Sequence, residues 1–446
     1  MLSQYRIFCY EKASSPMLAQ ELAERLHAFV LPLLVILDAY LDKRLVRTFL
    51  ELLSTIIEVR HREYGLLLSE LGAVLLSPDR TPAGVKRISR LLHSPKWAAS
   101  LISHFLFQQA EQRLVALEEQ GEPALCVWDG SEIEKPESQK VEGLCPVRSS
   151  KGKRLNRSRK GCFSPAAGKP ILVPGIHWLA VVLLGASGPL SVVGMHWWTS
   201  RGPHASKSRI EEEKWLGKLA RGWGRRVIHI FDRGWAGGPW LQTLCHYHMR
   251  FIERWRTDYV LLDGQGKPRK AWQLVQGKRV QVCAKLWNAH QRKMVPIGWL
   301  CVPVGHAEVP GARLFLIVVR STAWRDPWYL LTNEPIETLE DSLRVIRAYA
   351  RRWQIEWCFR FEKSELGIEH ARLHKWDDQL KLLAMVTLLY AFFLSLLEPT
   401  VQALLSWLLR FWDHQTGERA RTTKQPLYRL RRALSRLWQQ FCPRPA

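Results

Sequence analysis

Residues 349 to 363 read YARRWQIEWCFRFEK and set Tyr349, Arg352, Glu356 and Lys363 at offsets 0, 3, 7 and 14. On a continuous α-helix turning 100° per residue, all four project within an arc of about 60° along roughly 21 Å. One face then carries a carboxylate flanked by a ring and two cations. That set suits a phosphodiester: the carboxylate holds a metal ion, the cations bind phosphates, and the tyrosine packs on a sugar or base. The plainer alternative is a solvated helix face with Arg352 and Glu356 as an ordinary i, i+4 pair. With 10 Tyr, 65 basic and 41 acidic residues in the chain, the spacing arises by accident about 2% of the time.

Two further carboxylates close short apolar runs. ALCVWD ends at Asp129 and RVIHIFD ends at Asp232. A lone aspartate at a strand end is usually a turn residue. Two of them, followed by a glutamate on a helix, can converge on a pair of divalent ions that clamp both oxygens of a displacement at phosphorus. Asp129, Asp232 and Glu356 are therefore the candidate triad. Asp258, Asp263, Glu132 and Glu134 lie in loops or lack this placement.

The elements that must position these groups follow from periodicity. From Ala19 to about Gln120 apolar residues recur at helical spacing, broken by SPDRTPAG at 77–84. IHWLAVVLL and LSVVGMHWW, joined by GASGP, predict a β-hairpin. SRIEEEKWLGKLARGW predicts a helix before the strand that ends at Asp232, and 258–333 returns to β-like runs. Thr338 is placed to cap the helix bearing the opening motif, which is expected to run unbroken to about Lys363. The apolar run 382–397 is short for a bilayer span and reads as a buried helix.

Composition narrows the partner. The chain has 446 residues, 47% of them hydrophobic, and a net charge of +24, which favours a polyanion, nucleic acid first, through counterion release. RSSKGKRLNRSRK at 148–160 and the basic tail after Glu418 add to this. The tail's YRLRRALSRLWQQF reads as an amphipathic helix suited to a dimer contact, a DNA contact or a solvated face. Nine cysteines are scattered singly, with no CxxC pair, as expected of reduced thiols. Cys245-His246-Tyr247-His248 has no second ligand cluster at finger-like spacing and reads as a packed helix end. With no signal peptide read at the N-terminus, a cytoplasmic protein is expected.

The Tyr, Arg, Glu, Lys spacing at 349–363, FDRGWAG around Asp232 and WYLLTNEP ahead of the glutamate helix resemble a cut-and-paste DDE transposase of bacterial insertion sequences, in the insertion-sequence-4-like group. The resemblance covers about residues 120–395 and is looser around Asp129. It implies an α/β fold: a ribonuclease H-like catalytic core with a β-rich insertion domain, flanked by helical N-terminal and C-terminal regions. The expected division is 1–120 helical and DNA-end binding, 121–257 the first part of the core, 258–335 the β-rich insertion, 336–395 the second part with the glutamate helix, and 396–446 basic and helical. It further implies two Mg²⁺ or Mn²⁺ ions on Asp129, Asp232 and Glu356. Its partners would be double-stranded DNA, as terminal inverted repeats and as target, and a second copy in a homodimeric synaptic complex, with no membrane. Hydrolytic nicking, 3′-hydroxyl attack through a hairpin, and strand transfer are the implied reaction, in a bacterial cytoplasm on the nucleoid. By the same carry-over Tyr349, Arg352 and Lys363 hold phosphates and a flipped base. Trp299, Trp324 and Trp328 are candidate stacking platforms for that base, although most tryptophans in so rich a chain serve the core. Two other readings remain: a nuclease of the same fold that does not join strands, and a transposase-derived DNA-binding protein without chemistry.

Overall fold

The structure, a computed structural model, describes residues 14–59, 65–138, 140–150, 170–280, 282–289, 291, 293–413 and 427–441. Most of the basic stretch at 148–160 therefore lies outside the described residues. The chain opens with five helices: α1 (Ser15–Asp38), α2 (Lys43–Val59), α3 (Leu68–Leu75), α4 (Thr81–Leu92) and α5 (Ala99–Glu119). In α1 the residues Leu18, Leu22, Leu26, Val30, Leu33 and Leu37 recur at three- and four-residue spacing, and all are buried. Asp42 starts α2: its Oδ1 accepts from the Arg44 and Leu45 amides at 2.9 and 3.1 Å.

A ten-stranded mixed sheet follows. Its first part comprises β1 (Leu125–Glu134), β2 (Cys145–Arg148), β3 (Leu172–Leu184), β4 (Ser191–Trp198), β5 (Ile228–Phe231) and β6 (Arg250–Arg254). The strands β1, β3 and β4 form an antiparallel meander, whereas β5 adds parallel to β1 and β6 parallel to β5. Each parallel step needs a crossover, which α6 (Ser208–Gly222) and α7 (Gly238–His246) supply. Close packing of α6 depends on Gly194 of β4, where an added Cβ would sit inside the Trp215 ring. A small ribbon, β7 (Val260–Leu262) with β8 (Pro268–Lys270), precedes β9 (Val282–Asn288), β10 (Lys293–Val304), β11 (Leu314–Arg320) and β12 (Trp328–Thr332). β12 pairs with β6, and β11, β10 and β9 follow in turn, so these four strands extend the main sheet while β7 and β8 stand apart as their own ribbon.

Alternation of side chains across the strands splits the core into two faces. Trp128, Phe231, Phe251 and Leu316 pack with Trp215, Leu219, Trp240 and Leu244 of α6 and α7. Val127, Ile230, Ile252 and Ile317 pack on the opposite face with α8 (Leu339–Ala350), α9 (Trp353–Ser364) and α10 (Trp376–Ser395). Thr338 caps α8 as its sequence predicts. Its Oγ1 accepts from the Asp341 amide at 3.2 Å, and Asp341 Oδ2 accepts from the Thr338 amide at 2.8 Å. The helix α10 has the length and hydropathy of a membrane span, yet 83% of its apolar window is buried inside the protein. After α11 (Gln402–Phe411), α12 (Leu427–Phe441) returns to the N-terminal helices, where Leu430, Leu434 and Leu437 are buried and Ser435 Oγ donates to the Ile57 carbonyl at 2.7 Å. The apolar face of the basic tail is thus spent on this chain's own core.

Candidate active site

Strand register places the first two acids. Val127, Ile230 and Ile252 lie in one row across β1, β5 and β6. Two residues further along each strand direction stand Asp129, Asp232 and Arg254, all directed to the face that α8 and α9 cover. Asp232 follows the last residue of β5, and its Oδ1 accepts from the Gly234 amide at 2.6 Å. Asp129 differs from expectation. It lies inside β1, which continues to Glu134 because β3 keeps pairing as far as Gly175. Only the parallel neighbour stops, and that opens the edge beside Asp129. Its Oδ1 accepts from the Gly130 amide at 2.9 Å.

The glutamate helix also differs from the single continuous helix expected of the motif. α8 ends at Ala350 and α9 begins at Trp353. Across the junction the amides of Arg351, Arg352, Gln354 and Ile355 bond to carbonyls three residues back rather than four. Two side chains account for this tighter winding. Arg351 donates to the Ala186 and Gly188 carbonyls of the β3–β4 turn at 2.7 and 2.9 Å. Arg352 turns inward, with Nη1 3.1 Å from Asp129 Oδ2 and Nη2 2.7 Å from Glu356 Oε1. Its planar fork therefore joins the first and third acids, a geometry an ammonium cannot reproduce. Phe359, edge-on to Trp178 at 4.7 Å between ring centroids, seats α9 on the sheet.

The other two motif residues are placed differently. Tyr349 is 3% exposed and packs edge-on against Trp328 at 5.1 Å between ring centroids, its hydroxyl buried beside Arg254. Lys363 lies two turns beyond Glu356, with Nζ 3.8 Å from Glu369 Oε1. The proposed stacking residues also separate. Trp299 is buried and donates to Ser342 Oγ at 2.7 Å, while Trp324 and Trp328 are half-buried and stacked at 4.3 Å beside Tyr349.

Electrostatics follow from this crowding. Burial pushes the Asp129 carboxyl up, Arg352 pulls it down, Asp232 and Glu356 push it up again, and it settles at about 7. Burial opposes the Arg352 charge, but Tyr349, Asp129, Glu356 and Asp232 outweigh it and hold the guanidinium above its ordinary range. Burial raises the Tyr349 hydroxyl, against the pull of Arg352 and Arg254. Arg254 was not singled out by spacing. The signal was there in RFIER, where it alternates with Ile252 on the face of Asp232. On the opposite face Glu253 is wholly buried with neither oxygen bonded, and burial first, then Asp232, raise it well above the carboxylate range while Arg209 pulls it down.

Among the described residues no three His, Cys, Asp or Glu side chains are gathered closely enough to share an ion; the Arg352 fork stands between Asp129 and Glu356. The donors nonetheless fit a hard divalent ion, being carboxylate oxygens whose mutual repulsion already raises Asp129. Among the described residues Cys245, His246 and His248 join no group of three metal-ligating side chains; Cys245 and His246 end α7, and His248 just beyond it takes a positive φ of 55°.

Among solved structures the chain is similar to piggyBac transposase in a synaptic complex with hairpin DNA, with 11% identity, a TM-score of 0.44, and coverage of 97% of this chain and 81% of that one. Residues 180–392, which include Asp232, the Arg352 fork and Glu356 but not Asp129, match the family described as "Transposase DDE domain", and this match supports a DNA transposase of the DDE class.

Proposed function

We propose that the protein binds the terminal inverted repeats of a mobile element and moves it by cut and paste. Each end is nicked by hydrolysis, the freed 3′ hydroxyl attacks the opposite strand to leave a hairpin and release the flanking DNA, water reopens the hairpin to restore the 3′ hydroxyl, and that hydroxyl attacks a target phosphodiester and displaces its 3′ oxygen. The observation that carries this reading is the meeting of Asp129 and Asp232, level on adjacent parallel strands, with Glu356 tied to Asp129 through Arg352. The strand order β4–β3–β1–β5–β6 supports a ribonuclease H-like core, and the Tyr, Arg, Glu, Lys spacing supports the insertion-sequence-4-like group.

Asp129, Asp232 and Glu356 would hold two Mg²⁺ or Mn²⁺ ions, which when bound polarise the phosphoryl oxygens and make water a nucleophile near neutral pH. Arg352 and Lys363 supply positive charge on either side of Glu356; Arg352, released once the ions take Asp129 and Glu356, would turn its fork to one phosphate, and Lys363 would be a point charge for another. Buried Tyr349 backs Arg352, with the Trp324–Trp328 stack behind it at the edge where a base would leave the duplex. A homodimer would pair the two ends, in the bacterial cytoplasm on the nucleoid.

The deciding experiment incubates the purified protein with labelled linear DNA carrying the ends that flank its gene and a target plasmid, with and without Mg²⁺. Metal-dependent excision and joined products are expected, and Glu356→Gln should abolish both while leaving end binding nearly unchanged. Cleavage without joining would replace the transposase reading by a nuclease. Binding with neither product would leave a DNA-binding relic.

A further inference from the structure

Arg352 does more than neutralise its neighbours. Its fork takes one oxygen of Asp129 and one of Glu356, at 3.1 and 2.7 Å. A guanidinium seated between those oxygens fills the space that an ion bridging them would occupy. Divalent ions beside the acids would also set the guanidinium among surplus positive charge. Ion entry therefore requires Arg352 to leave, and a buried cation leaves at least cost toward another anion.

The fold holds the backbone here and leaves the side chain free to swing. Arg351 is tied to the Ala186 and Gly188 carbonyls at 2.7 and 2.9 Å, and the tight turn between α8 and α9 is bonded through the amides of Arg351, Arg352, Gln354 and Ile355. The Arg352 side chain, by contrast, is held at its tip. Nη1 and Nη2 carry the two ion pairs, while Nε is buried with no hydrogen-bond partner among the described residues. Exposure rises along the bridge, from 10% for the Arg352 side chain to 16% for Asp129 and 36% for Glu356, so the way out passes Glu356. The Trp353 ring, with its centroid 6.0 Å from Arg352 Cζ, offers a face to the cation as it moves.

We propose that Arg352 is a gate that couples ion loading to DNA. In the free protein the fork closes the ion seat between Asp129 and Glu356, and a DNA phosphate opens it by drawing the fork away. The gate rests on the proposed function in one respect, that Asp129, Asp232 and Glu356 are the ion ligands. Because phosphate and ion act on one side chain, the coupling is reciprocal: DNA strengthens ion binding, and ions strengthen DNA binding, by the same factor. A metal-activated water then arises only with a phosphodiester in place.

The test titrates the full-length protein with Mn²⁺, followed by the electron paramagnetic resonance of the free ion. It is run alone and with duplex DNA carrying the ends that flank the gene, and the ion held by the duplex itself is subtracted. Wild type should bind Mn²⁺ about tenfold or more tighter with DNA than without. Arg352→Gln should bind it about tenfold tighter than wild type in the absence of DNA, and DNA should then add less than about threefold. Arg352→Lys keeps the charge without the fork, and should move toward Arg352→Gln in the free protein. It also carries the test alone if the thermal midpoint shows Arg352→Gln to be unfolded. A lysine variant indistinguishable from wild type would reduce the effect to charge repulsion and overturn the gate, as would an undiminished DNA effect in Arg352→Gln. Asp232→Asn, at a carboxylate with no ion pair to the fork, separates the two readings. Mn²⁺ binding lost in Asp232→Asn but unaltered in the Arg352 variants sinks the gate alone. Mn²⁺ binding unchanged in Asp232→Asn sinks the acids as the ion site, and the catalytic reading with them.

Discussion

Arg352 holds together two carboxylates that would otherwise face each other across a half-buried gap, and its side chain is about 10% exposed. Removing one partner of such a group leaves the others uncompensated, so Arg352→Ala should destabilise the protein by about 3 kcal/mol, read from urea unfolding. Mg²⁺ should then raise the thermal midpoint of the variant more than that of wild type, because a divalent ion replaces the missing charge. Equal responses would count against ion binding by these acids. Arg352→Lys keeps the charge but not the fork, and should retain folding while losing most of the cleavage rate.

At the scale of elements, the α8–α9 pair is set from both ends. The Thr338 cap fixes where α8 starts, and Thr338→Ala should lower stability by about 1 kcal/mol in the same assay. The far side of α9 carries Glu362, wholly buried, which accepts from Thr387 Oγ1 at 2.9 Å. Burial raises it to about 8, against the pull of Thr387 and Cys358. The native state therefore keeps a proton that the unfolded chain releases above about 4.5, so this group costs stability as pH rises from about 4.5 to 8, on the order of 5 kcal/mol in total. Glu362→Gln, neutral at every pH, should flatten that decline between pH 5 and pH 8. A parallel decline in variant and wild type would show that Glu362 is not the group responsible.

For the molecule as a whole, the net charge of +24 favours a polyanionic partner through counterion release. Lys363 stands two turns beyond Glu356 on α9, so under the proposed function Lys363→Gln should lower the salt slope of end binding by about one. An unchanged slope would count against a phosphate contact at Lys363. The continuity of the sheet from β1 to β9 matters here too. Trp328 on β12 reaches Tyr349 only because β12 pairs directly with β6, the strand that carries Arg254.

Much of this was legible in one dimension. Residue types and spacing at 349–363, the two apolar runs ending in aspartate, the capping threonine and the β3–β4 hairpin are local patterns, and local patterns survive folding because they report periodicity and backbone chemistry. Three features were not. A run of residues ending in Asp129 looks like a strand end, but pairing with a distant strand, β3, carries β1 on to Glu134. The four motif residues look coplanar on one helix, but carbonyls of the β3–β4 turn and the carboxylate of Asp129 draw Arg351 and Arg352 into a tighter turn that buries Tyr349. Arg254 joined the site through strand register alone. The sequence by itself determined which chemical groups are present and what they could bind. Tertiary structure decided which of them meet, because register between strands far apart in the chain, and the burial that shifts their charges, are set by contacts no local stretch encodes.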